Sequence, residues 1–314
     1  MSTHLLVLAG GVGGAKLALG LTRLFPPPVL TIVVNTGDDE VFHGLYVCPD
    51  LDTVMYTLAG VVNEETGWGV HGDTWRVMEA LDRLGGETWF RLGDRDLATH
   101  LRRTELLHAG LTLTEATRYL CERFGVRHTV VPMSDDPVRT VVETDMGTMS
   151  FQEYFVRHRY VPRVQRLRFE GAEKAQPSPA FIDALAQADA LIVCPSNPLL
   201  SITPILAIPG VRARLAAVPG VRVAVSPIIG GQAVKGPAAK LLEEVTGEPA
   251  SCVGVARLYG DLCTHVVIDQ QDEERRAAVE ALGYRVTVAQ TLMTSEEDKV
   301  ALARLVGRLC GALP

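Results

Sequence analysis

The residues best suited to chemistry lie in the first sixth of the chain. Gly10-Gly11-Val12-Gly13-Gly14-Ala15-Lys16 follows the apolar run Leu5–Ala9 and precedes a helical pattern. Glycines in that position let the backbone approach a phosphate closely, and a helix N-terminus supplies N–H donors and the positive end of a dipole. Gly13 is expected where any Cβ would stand between those donors and the phosphate. Neither common fingerprint fits. Lys16 stands where the last glycine of G-x-G-x-x-G belongs, and Gly14-Ala15-Lys16-Leu17 lacks the GK[ST] of a P-loop. The competing reading is a tight turn that only packs helix on sheet; the strand–loop–helix context favours phosphate binding.

Asn35-Thr36-Gly37-Asp38-Asp39 and Pro49-Asp50-Leu51-Asp52-Thr53 then place four carboxylates within 15 residues. Beside an anion-binding loop these repel one another and the ligand unless a cation is present. Mg²⁺ uses few protein oxygens when it also holds substrate phosphates, so a magnesium site is the matching chemistry. The ordinary reading is that these aspartates cap turns and helices, with Asp52-Thr53 opening a helix over Val54–Val62. A third polar stretch is Arg91-Leu92-Gly93-Asp94-Arg95-Asp96-Leu97-Ala98-Thr99-His100. There Arg91 is a candidate for holding an anion or a polar ligand edge, Asp96 reads as an N-cap and His100 as a structural histidine. Trp68, Trp75, Trp89 and Phe90 either stack on a flat ring or form local core.

Two further loops follow apolar runs. Ser196-Asn197-Pro198 comes after Ala190–Cys194, with Ser201 placed to cap the next helix. Ser226 to Gly231 comes after Val221–Val225 and leads through Lys235-Gly236 into another helix. Ligands of open α/β sheets sit beyond the carboxyl ends of the strands at the switch point, so these loops belong with the first glycine segment in one composite site.

The elements that must position these loops are short, branched apolar runs typical of strands buried on both faces: Leu5–Ala9, Leu30–Asn35, Thr129–Val131, Ala190–Cys194, Val221–Ser226 and His265–Ile268. Ala15 to Phe25 reads as a helix stopped by Pro26-Pro27-Pro28. The alternation implies an α/β class protein with a doubly wound, Rossmann-like, mostly parallel sheet. Thr74 to Phe124 is mostly helical in period, with no strand candidate of comparable strength. Val138–Thr144 and Met149–Val156 flank the turn signal Asp145-Met146-Gly147 and predict an antiparallel hairpin. Residues 1–72, 126–137 and 175–314 are thus expected to form the nucleotide-binding core, 73–125 a helical insertion and 138–174 a β-hairpin excursion. Gly171–Pro179 is the expected link back to the sheet.

Composition agrees with an enzyme of this kind. The 314 residues are 47% hydrophobic and 21% charged, with a formal net charge of -7. A surplus of acid lowers the expectation of a nucleic-acid or membrane-surface partner, since both favour basic patches. The six cysteines show no CxxC and no histidine pair at zinc spacing, a pattern suited to a reducing cytoplasm. The apolar start has no basic segment before it and reads as a first strand rather than a signal peptide, and no apolar run is long enough to span a membrane.

Taken in order, Gly10 to Lys16, Asn35 to Asp39, Pro49 to Thr53, Leu92 to Asp96, Pro132-Met133-Ser134-Asp135-Asp136, Phe151-Gln152-Glu153-Tyr154 and Ser196 to Pro198 resemble the 2-phospho-L-lactate transferase family of coenzyme F(420) biosynthesis. The resemblance runs from the first strand to at least Lys235-Gly236, and the first loop is nearer the actinobacterial than the archaeal form. It implies transfer of a phospho-lactyl or phospho-enolpyruvyl group from a guanosine diphosphate ester to the ribityl hydroxyl of the deazaflavin Fo, with release of GMP and a need for Mg²⁺. By position it implies Asp52 and Arg91 for Fo. It sets Gly10, Gly11, Gly13, Gly14, Lys16, Ser196 and Asn197 against the guanylate. Asp38 and Asp50, with Asp52, become the metal candidates. Asp52 is also the natural group to accept the hydroxyl proton, with Asp38 beside it in the catalytic set. A homodimer is expected.

Two other readings stay open on the residues alone. A nicotinamide-dependent oxidoreductase would use Asp38 or Asp39 on a ribose, but Lys16 counts against it. A non-catalytic nucleotide-sugar-binding regulator would share the fold and the glycine segment, but has no need of paired carboxylates.

Overall fold

A computed structural model of the chain describes residues 3–234 and 236–314, so Lys235 of the expected Lys235-Gly236 lead-in lies outside the described residues. In chain order the elements that matter are β1 (Leu5–Ala9), α1 (Gly11–Leu24), β2 (Leu30–Val34), the antiparallel pair β3 (Glu40–Phe42) and β4 (Leu45–Val47), and α2 (Pro49–Ala59). Three helices follow: α3 (Arg76–Arg83), α4 (Asp94–His108) and α5 (Leu113–Arg123). After β5 (Thr129–Pro132) come β6 (Arg139–Thr144), β7 (Gly147–Ser150) and β8 (Val164–Glu170), then α6 (Pro179–Gln187), β9 (Ala190–Val193) and β10 (Arg222–Val225). A two-residue ribbon, β11 (Ile228–Ile229) with β12 (Gln232–Ala233), precedes β13 (His265–Asp269), β14 (Arg285–Ala289) and a C-terminal helix, Glu296–Leu309.

Seven strands form one parallel sheet in the order β14-β13-β10-β9-β1-β2-β5. Every residue of β1 is buried. Leu5, Val7 and Ala9 join one core with Leu17 and Leu21 of α1, Val54 of α2 and Val306 of the C-terminal helix. Leu6 and Leu8 join the other with Phe181, Ile205 and Val255. Because β1 feeds both cores, its carboxyl end cannot shift without disturbing both faces. From β1 the chain winds outward both ways, so the switch point falls between β1 and β9, where the glycine segment and Ser196-Asn197 meet.

Several boundaries differ from the sequence reading, each for a local reason. α1 starts at Gly11, not Ala15, with Gly10 as its N-cap, so the glycine segment is the first turn of the helix rather than a loop before it. α2 starts at Pro49, where proline costs no hydrogen bond, and ends at Ala59 because Gly60 turns left-handed. The hairpin expected over Val138–Val156 is a three-stranded sheet, β7-β6-β8. Its second arm stops at Ser150, after which Phe151 to Arg157 coils. That coil sends Phe151 and Tyr154, three apart, into a small core with Val142, Leu199 and Leu200. β14 was not anticipated; it is an edge strand with mixed burial and a weak apolar signal.

Candidate active site

At the switch point the glycine segment is held by its neighbours. The Gly10 N–H donates to Ser196 Oγ at 3.0 Å, and the Gly11 N–H donates to Asp50 Oδ1 at 2.6 Å. Gly11 has φ +59°, a conformation that other residues enter at a cost. Gly10 and Gly13 are required by close approach instead. A Cβ on Gly10 would collide with Asp50 and Ser201, and one on Gly13 would collide with the Pro195 carbonyl. Gly13 therefore seats α1 on the β9 loop, the packing role that stood beside phosphate approach as the alternative reading. Lys16 Nζ donates to the Met293 carbonyl at 2.8 Å.

The carboxylates meet through one amide. Asn35 Nδ2 donates to Asp38 Oδ1 and to Asp50 Oδ2, each at 3.0 Å, while Asn35 Oδ1 accepts from the Gly37 N–H at 2.8 Å. Gln152 Nε2 steadies the Asp38 carbonyl at 3.0 Å. All three aspartates here are buried: Asp38, Asp39 and Asp50. Burial, followed by the charges of Asp50 and Asp39, raises the Asp38 carboxyl well above its ordinary range. Burial likewise raises Asp50, against the hydrogen bonds from Asn35, Ser201 and Gly11. Asp39 is pushed up to about 8, chiefly by burial, with Arg139 and Arg103 opposing. Both Asp39 oxygens are buried and, among the described residues, have no nitrogen or oxygen hydrogen-bond partner, while the Cys48 thiol lies against the carboxyl and opposes its upward shift.

Asp52 belongs to a different grouping. Both its oxygens accept from Arg103, Oδ2 from Nη1 at 3.0 Å and Oδ1 from Nη2. His100 Nδ1 lies 3.6 Å from Asp52 Oδ2, and His100 Nε2 lies 3.3 Å from Asp96 Oδ1. The Tyr56 hydroxyl donates to the same Asp96 oxygen at 2.7 Å. Asp52, Asp96 and His100 offer ligand atoms within 4.8 Å of one another. The guanidinium of Arg103 already neutralises Asp52 there and would repel a cation, so this set is better matched to a buried charge network than to an ion. Arg103, nearly inaccessible to solvent, carried no signal in sequence beyond lying on the buried face of α4.

Other residues singled out by the sequence take different roles. Arg91 is exposed, its guanidinium 4.4 Å from the centre of the Trp75 ring, and it makes no ion pair with Asp52. Trp89 and Phe90 cluster with Phe42, whereas Trp68 is exposed. Asp96 is not an N-cap; α4 is capped by Gly93, and Asp96 lies inside the first turn. Asn197, not Ser201, caps the segment after β9, its Oδ1 accepting from the Leu199 and Leu200 N–H groups. Ser201 instead supports Asp50. All six cysteines are buried and unbonded, and among the described residues no helix is long and apolar enough to cross a membrane.

A profile described as 2-phospho-L-lactate transferase CofD matches residues 5–304. The chain belongs to the 2-phospho-L-lactate transferase family. It is 44% identical over 308 residues to a phosphoenolpyruvate transferase of Kitasatospora aureofaciens, with 96% of each chain covered. It is 41% identical over 302 residues to a 2-phospho-L-lactate transferase of Methanosarcina acetivorans, covering 96% of this chain and 97% of that one. A Bacillus halodurans protein of the UPF0052 family superposes with a TM-score of 0.63 at 14% identity, over 98% of this chain and 99% of that one, a likeness of fold alone. Membership makes the chain an enzyme, a transferase of coenzyme F(420) biosynthesis, and leaves the oxidoreductase and regulator readings unfavoured.

Two outcomes follow from this geometry. Gly13→Val should lower the melting midpoint markedly, because overpacking against backbone costs about 1–3 kcal/mol or more; a thermal melt equal to wild type would remove the packing role. An acid raised in the folded state holds its proton more tightly there than when unfolded. Asp39 therefore supports the metal-free protein at low pH, and that support is lost as pH rises from about 4 towards about 8. Urea unfolding of metal-free wild type across that range should show falling stability, and Asp39→Asn should flatten the slope.

Proposed function

We propose that this transferase moves a phospho-lactyl or phospho-enolpyruvyl group from its guanosine diphosphate ester to the terminal ribityl hydroxyl of Fo. The hydroxyl oxygen bonds to the phosphorus that carries the acid, and the bond from that phosphorus to the bridging oxygen breaks. GMP leaves with the bridging oxygen, and the hydroxyl proton passes by way of Asp52 to solvent. The observation that carries the reading is the join at the head of α1. Asp50 is bound at once to the Gly11 N–H and, through Asn35, to Asp38. An anion-binding helix start with carboxylates built into it is suited to a diphosphate accompanied by a cation.

The residues fit that cation. Asp38 and Asp50 lie side by side in the site, and the buried Asp39 carboxyl adds hard oxygen donors nearby. We assign Mg²⁺ to Asp38 and Asp50, with Asp52 less suited because Arg103 holds it. When bound, the ion neutralises charge on the diphosphate oxygens. The chain's own contribution is positioning. Gly10, Gly11, Gly13, Gly14 and Lys16 set the guanylate at the N-terminus of α1, where the first N–H groups of a helix lack partners within it. Ser196 and Asn197 close the other side of the switch point. Asp52 and Arg91 attend Fo, one as an acceptor for hydroxyl groups and the other as a donor. A loose phosphoryl-transfer transition state asks little of a base, so an Asp52 engaged by Arg103 suffices for whatever proton acceptance is needed. Small-molecule substrates, a homodimer and a cytoplasmic setting complete the proposal, the last supported by six unbonded cysteines.

The deciding experiment incubates the protein with Fo, Mg²⁺ and each guanylated donor and identifies products by mass spectrometry. A phosphodiester of Fo together with GMP is expected; EDTA should abolish it and added Mg²⁺ restore it. Full turnover after exhaustive chelation would remove the metal from the mechanism. Steady-state kinetics in Fo separate the two acceptor-side residues. Arg91→Ala should raise KM and be rescued by more Fo, whereas Asp52→Asn should lower kcat without rescue. Loss of one partner leaves Arg103 as an unpaired buried charge, so Asp52→Asn should also be destabilised by several kcal/mol, on the order of 3–5, and folding must be checked alongside. A normal kcat in folded Asp52→Asn makes Asp52 a binding residue only.

A further inference from the structure

A cavity of about 510 Å³ opens between the carboxylate cluster and the β7-β6-β8 sheet, lined among others by Asp38, Asp39, Arg139 and Thr140. Arg139, the first residue of β6, lies half-buried in its wall. Its Nη2 donates to the Tyr46 hydroxyl at 3.1 Å, its Nη1 to the Val138 carbonyl at 2.9 Å, and its guanidinium lies 5.4 Å from the centre of the Tyr46 ring. These contacts hold the group in place yet leave donors unspent, since a guanidinium carries five. Arg103 is different: its charge is consumed by Asp52. Among the described residues Arg139 has no carboxylate in ion-pair contact, although Asp39 is near enough to be influenced by its charge. Beside it Thr140 Oγ1 is buried with no hydrogen-bond partner.

We infer that Arg139, assisted by Thr140, is the subsite for the carboxylate of the transferred phospho-acid, an inference that rests on the transfer reading above. Lactate and enolpyruvate esters differ in the bond between their carbons but share a carboxylate next to the phosphate-bearing carbon. Bringing that carboxylate beside three buried aspartates and a diphosphate is strongly repulsive unless a fixed cation faces it. A guanidinium braced by a tyrosine meets the need, because its planar fork matches a carboxylate and its charge is permanent. The subsite serves both donors alike and selects against guanosine diphosphate esters that lack the acid.

The test is calorimetric and omits Fo, so that no turnover occurs. Wild type, Arg139→Gln and Arg139→Lys are titrated with GDP and with the lactyl and enolpyruvyl donors, with melting curves in parallel. Arg139→Gln should lose on the order of 10- to 100-fold in affinity for both donors, the range expected for one charge-assisted contact, while GDP affinity changes little. Arg139→Lys keeps the charge without the fork and should lose less. In turnover, donor KM should rise and Fo KM should not. Donor affinity that is unchanged, or that falls in step with GDP in folded protein, overturns the subsite. Should Arg139→Gln not fold, Arg139→Lys decides by the same donor-against-GDP comparison. Wild type that turns over neither donor overturns the transfer reading and the subsite with it; wild type that turns over a donor as well as a folded Arg139→Gln does overturns the subsite alone.

Discussion

The site depends on a single side-chain amide. Asn35 has two N–H donors and uses both on carboxylates, one from the turn between β2 and β3 and one from the first turn of α2. Without it, Asp38 and Asp50 would face each other in a buried space with only repulsion between them, and the two elements would have no reason to meet. With it, the carboxylates are set at a fixed separation and Asp50 is turned onto the start of α1. The glycine-rich start of α1, the acidic pair and the Ser196 loop are thereby joined across the switch point of the sheet.

A second charge system lies behind the first and has different physics. Asp52, Arg103, His100, Asp96 and Tyr56 are packed between α2 and α4, with the Asp52 charge met by Arg103 inside the group. The front cluster of Asp38, Asp39 and Asp50 has no such internal compensation, which is why burial lifts its carboxyls. Opposite electrostatic states two residues apart in sequence, at Asp50 and Asp52, follow from helix geometry. Residues two apart on a helix are rotated by about 200°, so one carboxylate points toward α1 and the other toward α4.

Family membership and the transferase activity agree with this arrangement, and the loop order explains how so little of the chain makes the site. Four segments at the carboxyl ends of adjacent strands β9, β1 and β2 contribute, while the β7-β6-β8 sheet closes one side with Arg139.

Much of this was legible in the residues themselves. Apolar runs bounded by glycine and polar loops report strand and helix directly, because burial on two faces demands continuous apolar character; six of the seven central strands were visible for that reason, and β14, half exposed, was not. The glycine segment and the aspartate pairs stood out because few structural needs call for them together. Tertiary structure decided the rest. Local pattern does not say which of two aspartates joins Asn35 and which faces an arginine 51 residues away. Nor does it say that Asn35 bridges, that Gly13 yields to the Pro195 carbonyl, or that Arg139 remains without a carboxylate. Those facts belong to pairs of residues distant in sequence, and only the packing of β1 between two cores brings their segments together.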